Sequence, residues 1–151
     1  MSTHGDADDA IRELLLLMPR MVGRAKRLPV PESVRSLELS PRHLSLLALL
    51  LFDGPATVND LAARLEVAPT TASLMVGDLS RKGVLERRED ESDRRRRIVS
   101  ITDQMRPEIE DWLAGSAAAW RKALAPLAND DRRRFVDTLL AYERALEDAA
   151  D

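Results

Sequence analysis

The sequence predicts a mainly α-helical fold with one small β-wing, and two observations carry this prediction. Leu and Ala dominate a composition that is 44% hydrophobic but only 3% aromatic, which is typical of helices packed through aliphatic side chains. Residues 57–102 then read as two short helices separated by a tight turn, followed by two strand-like runs around a charged loop. This order predicts a winged helix-turn-helix region over residues 40–102 within a single domain, residues 1–151.

The ends of the two central helices are marked by their residues. Thr57 and Asp60 form a T-x-x-D capping pattern at the start of the first helix. Pro69 suits the first turn of the second helix, where its missing N–H is no loss, and Gly83 suits the C-terminal end. Residues 84–88 and 97–102 then read as the arms of a hairpin, with a solvent-exposed loop between them.

The second helix has an apolar stripe that must pack inward, formed by Ala72, Met75, Val76 and Leu79. At about 100° per residue, the opposite face presents Thr70, Leu74, Gly77 and Arg81, flanked by Thr71, Ser73 and Asp78. Hydroxyl groups at a helix start can bond phosphates or bases, and an exposed Leu could contact thymine methyls. Alone, the pattern also fits an ordinary core helix with small polar residues outside.

The hairpin is a basic island in an acidic chain. Residues 81–97 hold eight basic and five acidic side chains, a net charge of about +3, whereas the whole chain carries −3. We expect Asp93 and Arg95 to pair across the turn, and Arg94 or Arg95 to project into a minor groove. Arg96 and Arg97 would serve phosphates or the solvent face of the strand. A solvated loop is the alternative interpretation of the arginine run.

These residues resemble the MarR family of bacterial transcription regulators. The resemblance runs from Leu39 to Thr102 without a gap, through LSPRHLSLLALL, TVNDLAARLEVAPTTASLMVGDLSRKGVLERR and DRRRRIVSIT. Its most specific part is the D-x-R element of the wing, Asp93 and Arg95, followed by V-S-I-T. The resemblance implies a homodimer, a pseudo-palindromic DNA operator and, often, a small ligand that releases the DNA.

Three departures from the family pattern concern the second helix and the turn before it. Ala68 stands where a Ser cap is usual, and Glu66 where Gly is common. Leu74 and Asp78 occupy positions that are often basic, so that base contact by an arginine there is lost. Asp78 could pair with Lys82 or accept from a cytosine amino group, and the pair is the favoured interpretation.

Several classes of function are disfavoured by what the sequence lacks. There is no cysteine, and therefore no disulfide, thiolate metal site or thiol redox switch. Of the two histidines, His4 lies in a polar tail before Asp8 that we expect to be disordered, and His43 is expected to be structural. No catalytic constellation, cofactor motif or metal-ligand spacing is visible, so we expect no enzyme and no cofactor. The absence of a signal peptide or membrane span predicts a cytoplasmic protein without a membrane partner.

The flanking segments are expected to be dimerisation helices, at residues 8–27 and 103–150. The first has a broad apolar stripe interrupted by Pro19, which predicts a kink or an early end. Ser40 and Pro41 predict the start of the next helix, and Pro107 places a bend or a start near Arg106. Asn129, with Asp130 and Asp131, is expected to open the last helix. Amphipathic helices outside a folded core need another surface, which a twofold dimer would supply.

The sequence therefore predicts a dimeric, sequence-specific DNA-binding regulator, a repressor rather than an activator, with double-stranded operator DNA as its partner. The alternative is a winged-helix protein-interaction module that does not bind DNA. A small-molecule effector could bind in a cleft near Met18, His43 or Trp112, but these side chains fit the core equally well. The candidate DNA-binding residues are Arg64, Pro69, Thr70, Thr71, Ser73, Leu74, Gly77, Arg81, Asp93, Arg94, Arg95 and Arg96.

Overall fold

The computed structural model describes residues 3–151, with side chains from Gly5 onward, and α-helix dominates it. The helices are α1 (Thr3–Ala25), α2 (Glu32–Arg35), α3 (Pro41–Asp53), α4 (Val58–Leu65), α5 (Pro69–Arg81), α6 (Arg106–Leu124) and α7 (Asn129–Ala150). The strands are β1 (Ala56–Thr57), β2 (Leu85–Glu89) and β3 (Arg97–Ile101), which form one antiparallel sheet in the order β1-β3-β2. Within the described residues, no helix is both long and apolar enough to cross a bilayer.

The chain divides into two compact units. One extends to Gly115 and holds the first five helices, the sheet and the first half of α6. The other is Ser116–Asp151, which holds the rest of α6 and all of α7.

The core of the first unit lies between the helices and the sheet. The inward stripe of α5 is buried as its periodicity predicts, and Leu46, Leu47 and Leu50 of α3 pack into the same cluster. Leu85, Val99 and Ile101 complete the cluster from the sheet, and Ile109 from α6. This packing fixes which face of α5 is turned outward.

The predicted starts of four helices are confirmed, and side-chain caps explain two of them. Ser40 caps α3, where its hydroxyl accepts from the backbone N–H of His43. Thr57 caps α4, where its hydroxyl accepts from the backbone N–H of Asp60 at 3.1 Å. The helices α5 and α6 begin at Pro69 and Arg106, as Pro69 and Pro107 indicate.

Two sequence expectations about α1 fail, and two short elements were not predicted. α1 begins at Thr3 rather than near Asp8, so the expected disordered tail is helical from Thr3; Met1, Ser2 and the His4 side chain lie outside the described residues. The same helix continues through Pro19 to Ala25. The short elements α2 and β1 were not predicted. The start of α7 at Asn129 is as expected, and the side-chain oxygen of Asn129 accepts from the Arg132 guanidinium at 3.1 Å.

Candidate nucleic-acid interface

The turn that leads into α5 is held in an unusual conformation. Glu66 closes α4 with a backbone φ of 55°, the left-handed region that glycine adopts most readily. The left-handed conformation costs a residue with a Cβ about 1 kcal/mol. α5 then begins at Pro69 after Ala68, which supplies no side-chain hydrogen bond to the helix start. Its first backbone N–H groups therefore lack a side-chain cap.

The outward face of α5 carries the side chains that the helical period places there. Thr70, Ser73, Leu74 and Arg81 are exposed, and Thr71 and Gly77 are half-buried. Leu74 is the most prominent, since 74% of its surface is accessible. The structure therefore brings the predicted recognition-helix residues onto one accessible surface.

Asp78, on the flank of this face, lies close to two cations and one imidazole. Its carboxylate lies 3.3 Å from the Lys82 ammonium and 3.8 Å from the Arg81 guanidinium. His43 Nε2 of α3 lies 3.4 Å from the same carboxylate. Lys82 also donates to the carbonyl oxygen of Leu37 at 2.9 Å. The expected pair of Asp78 with Lys82 is confirmed, and it belongs to a network that joins α5 to α3.

His43 is a structural residue in this network. Its Nδ1 accepts the backbone N–H of Ser40 at 3.1 Å, so in the neutral ring the proton sits on Nε2, which faces Asp78. Burial is the largest influence on its pKa and lowers it; Asp78 opposes this shift and Lys82 adds to it. The imidazole is therefore held neutral, as a link between the start of α3 and α5.

Arg87 of β2 lies against the outward face of α5, although it is not among the DNA-binding residues expected from the sequence. A Cβ built on Gly77 would lie 3.4 Å from Arg81 Nη1 and 4.0 Å from Arg87 Nη2. Two guanidinium groups, one from the helix and one from the wing, thus lie over a residue without a side chain. The alternation of side chains along β2 could have indicated this position, because it turns Arg87 and Leu85 to the same side of the sheet.

The wing loop is shaped by short side-chain to backbone hydrogen bonds. The expected ion pair between Asp93 and Arg95 is wrong: the Asp93 carboxylate instead accepts the backbone N–H of Arg95 at 3.0 Å. An Asp side chain reaches the backbone two residues on more readily than a long guanidinium side chain folds back to it. Two hydrogen bonds from Ser92 likewise hold the pKa of Asp90 below its ordinary value.

The arginines of the wing differ in their partners. The Arg96 guanidinium lies 3.7 Å from the Asp60 carboxylate at the start of α4, which ties the wing to the helix-turn-helix. A surface depression of about 420 Å³ lies at this junction. Arg94 and Arg95 are exposed and form no ion pair with any residue that the structure describes. Their charge is therefore available to an anion.

Arg64, the remaining candidate, forms an ion pair with another residue of the same chain. Its guanidinium lies 2.5 Å from the Asp53 carboxylate at the end of α3. Both side chains are about two-fifths exposed. The pair joins α3 to α4 at the surface and leaves Arg64 partly neutralised.

Comparisons with known proteins agree on the family and the fold. A model of the MarR family matches residues 37–96. The transcriptional repressor MdtR of Bacillus subtilis is 33% identical over 104 residues, which cover 67% of each chain. YusO of Bacillus subtilis has a similar fold, with 26% identity, a TM-score of 0.57, and coverage of 92% of this chain and 98% of that one.

A more distant structure shares the fold alone. MepR of S. aureus, solved with an oligodeoxyribonucleotide, is 20% identical, with a TM-score of 0.53 and coverage of 87% of this chain and 97% of that one. The family match and the MdtR relationship also settle the class of function, because the family consists of regulators and not of enzymes. From its sequence, its winged helix-turn-helix with a three-stranded sheet and these relatives, the chain belongs to the MarR family of winged-helix transcription regulators.

Proposed function

We propose that this protein is a dimeric repressor that binds a pseudo-palindromic DNA operator through α5 and the wing. The N-terminal half of α5 would enter the major groove, with Pro69, Thr70, Thr71, Ser73 and Leu74 nearest the bases. The wing arginines would contact the adjacent minor groove and its phosphates.

One observation carries this proposal. The Arg87 guanidinium of the wing and the Arg81 guanidinium of α5 both lie over Gly77. A rigid helix and a basic hairpin therefore present their cations on one side, which lets a net acidic chain approach a polyanion.

The dimer is inferred from two apolar surfaces, each considered within its own unit. α1 exposes a run of large apolar side chains, Ile11, Leu14, Leu15, Leu16, Leu17, Met21 and Val22. α7 exposes a second set at helical spacing, Phe135, Val136, Leu139, Leu140, Tyr142 and Leu146. Exposed apolar area of this extent is typical of interfaces, and a twofold dimer would place two α5 helices about one duplex turn apart.

The relatives support the finer parts of the proposal. MdtR is named a transcriptional repressor, and the MepR structure contains DNA within the same fold. Release by a small ligand is proposed from family membership, without assignment of a pocket. The site of action would be the cytoplasm, where a bacterial operator is accessible.

The experiment is selection of duplexes from a random pool by the purified protein, followed by titration of the selected duplex at increasing salt. We expect one enriched inverted repeat, and an affinity that falls steeply as salt rises because phosphate contacts release counterions. A shuffled duplex of equal composition is the control. Failure to enrich any sequence, or an affinity independent of salt, would contradict the proposal.

A winged-helix module that binds protein is the second candidate, and the uncharged surface of the first turns of α5 is the observation in its favour. The first two turns of the helix expose no cation, and Leu74 offers an apolar contact to a protein surface. The two candidates can be distinguished by the molecule that the protein protects from cleavage reagents. Protection of DNA phosphates near the wing supports the repressor, and protection only on a protein partner supports the module.

A further inference from the structure

The exposed face of α5 holds few side chains that can distinguish one base pair from another. The residues of its first three turns contribute hydroxyl groups and Leu74 to this face, but no carboxamide or guanidinium of their own. The guanidinium groups of Arg81 and Arg87 reach the face at Gly77, one turn beyond Leu74. This observation bears on which sequences the protein would select. It rests on the proposed DNA binding and adds a specificity to it.

Each base has a preferred partner in the major groove. Guanine is read by Arg or Lys, adenine by Asn or Gln, cytosine by a carboxylate, and thymine by apolar contact with its C5-methyl group. The first three turns of α5 contain no Arg or Lys to read guanine and no Asn or Gln to read adenine. Hydroxyl groups accept several bases and discriminate weakly.

The one carboxylate near this face is occupied. Asp78 lies within 3.8 Å of the side chains of Arg81, Lys82 and His43, so that its charge is already compensated within the protein. A cytosine amino group would have to compete with these partners. Arg81 is in turn drawn toward Asp78 and lies beside Gly77, in the last turn of the helix.

Leu74 remains, and its surroundings make it prominent. It is 74% exposed at the middle of α5. Its neighbours along the same row, Thr70 and Gly77, have smaller side chains. The isobutyl group therefore extends beyond the helix surface at the position that would face the floor of the groove.

We propose that Leu74 determines specificity by contact with the C5-methyl group of thymine, and that each half-site carries thymine opposite the middle of α5. Burial of a methyl-sized group against a leucine is worth about a fourfold change in affinity. Two half-sites would double this free energy, which corresponds to a change in affinity of about fifteenfold.

The test uses the duplex that the protein itself selects. Each thymine is replaced in turn by deoxyuridine, which keeps all hydrogen-bonding groups and removes only the C5-methyl group. We expect one position in each half-site at which the replacement weakens binding about fourfold, and no effect in the flanking sequence. Insensitivity at every thymine, with tight binding retained, would overturn the proposal and leave the proposed function standing.

A protein variant then assigns the effect to the residue. With Leu74→Ala, the thymine and deoxyuridine duplexes should bind equally, whereas Leu127→Ala, another exposed leucine outside α5, should keep the difference. The helical circular dichroism of Leu74→Ala should match the parent protein because the side chain is exposed. Unchanged sensitivity to deoxyuridine in Leu74→Ala would overturn the role of Leu74. Failure of the parent protein to select any duplex would overturn both this inference and the proposed function.

Discussion

Arg87 Nη2 lies 4.0 Å from the point that a Cβ on Gly77 would occupy, so the wing and the recognition helix meet at a residue without a side chain. The same point is 3.4 Å from Arg81 Nη1. A methyl group there would meet the far ends of two flexible side chains, which can move.

Gly77→Ala should therefore separate stability from DNA binding. Replacement of a helical glycine should raise the free energy of unfolding by about 1 kcal/mol, as measured by urea denaturation. The methyl group would lie in ordinary van der Waals contact with both guanidinium groups. We therefore expect it to lower operator affinity about tenfold by crowding the DNA that approaches this face, as overpacking does, and not by displacing the arginines. A variant that is more stable and binds DNA as tightly as the parent would show that Gly77 serves no close approach.

The hydrogen bond from the backbone N–H of Arg95 to Asp93 should set the shape of the wing tip. Asp93→Ala and Asp93→Asn remove the same charge, but only Asn keeps an oxygen that can accept the bond. We expect the Ala variant to bind the operator about fivefold more weakly than the Asn variant, the equivalent of one hydrogen bond. Equal affinities in a binding titration would show that the bond does not matter.

Arg95→Ala completes this comparison. Because the backbone of Arg95 and not its side chain makes the contact, the variant should weaken DNA binding and leave the thermal unfolding midpoint nearly unchanged. If Arg95→Ala unfolds the wing instead, the result would support the pairing of the Arg95 side chain with Asp93 that the sequence suggested.

Arg94 and Arg96 should contribute differently to the salt dependence of binding. Arg94→Ala should reduce the slope of log affinity against log salt by about 1 for each protomer, since it removes one phosphate contact. Arg96→Ala should reduce it less, because Asp60 at 3.7 Å already compensates that guanidinium. In an Asp60→Asn background the cost of Arg96→Ala should rise toward that of Arg94→Ala. Equal slopes in all backgrounds would argue against the pairing.

His43 should make the stability of the protein depend on pH. Its pKa is lowered from 6.5 in the folded state, chiefly by burial, so the unfolded chain binds the proton more readily. The stability that His43 contributes is present above the unfolded pKa and is lost as pH falls through the folded pKa. Protonation of Nδ1 would also oppose the N–H of Ser40, which that atom now accepts.

His43→Gln is the matched variant, because Gln at this position can keep the capping box and does not titrate. Urea denaturation from about pH 8 to about pH 5 should show a greater loss of stability in the parent protein than in the variant. Asp78 and Lys82 are retained in both, so their own effects cancel in the difference. Parallel curves would show that His43 has no part in the pH dependence.

Leu139 should be essential to the dimer. Leu139→Glu places a charge within the exposed apolar set of α7 and should convert a dimer, near twice 16.9 kDa, to a monomer in sedimentation. Ala141→Glu introduces the same charge on the other side of the helix, about 200° away, and should remain dimeric. Dissociation of neither variant, or of both alike, would argue against this face as the interface.

The sequence predicted those parts of the fold that depend on local periodicity. The inward stripe of α5, with Ala72 and Leu79, follows from the helical period, and the hairpin strands follow from their alternation, within one residue at each end. β1 has only two residues, too few to show any period, and α2 is a single turn between prolines and the next helix. Pro19 does not end α1 early, because the helix continues through it to Ala25.

Contacts between distant segments could not be predicted. The link between His43 and Asp78 and the pair between Asp60 and Arg96 depend on how α3, α4, α5 and the wing pack together. The approach of Arg87 to Gly77 depends on the register of β2 with β3 and on the packing of that sheet against α5. The sequence identified the types of residue at the interface, and the packing determined which of them are engaged within the protein.

If α5 and the wing contact the same stretch of duplex, site-directed cleavage from each of them should fall within one half-site. Since the chain has no cysteine, single cysteines at Ser73→Cys and Arg94→Cys can each carry an iron–EDTA reagent without competing sites. We expect strong cuts from both labels within each half-site, in the major groove for position 73 and in the adjacent minor groove for position 94. Cuts from only one label, or no more cutting than free iron–EDTA gives on the same bound duplex, would contradict it.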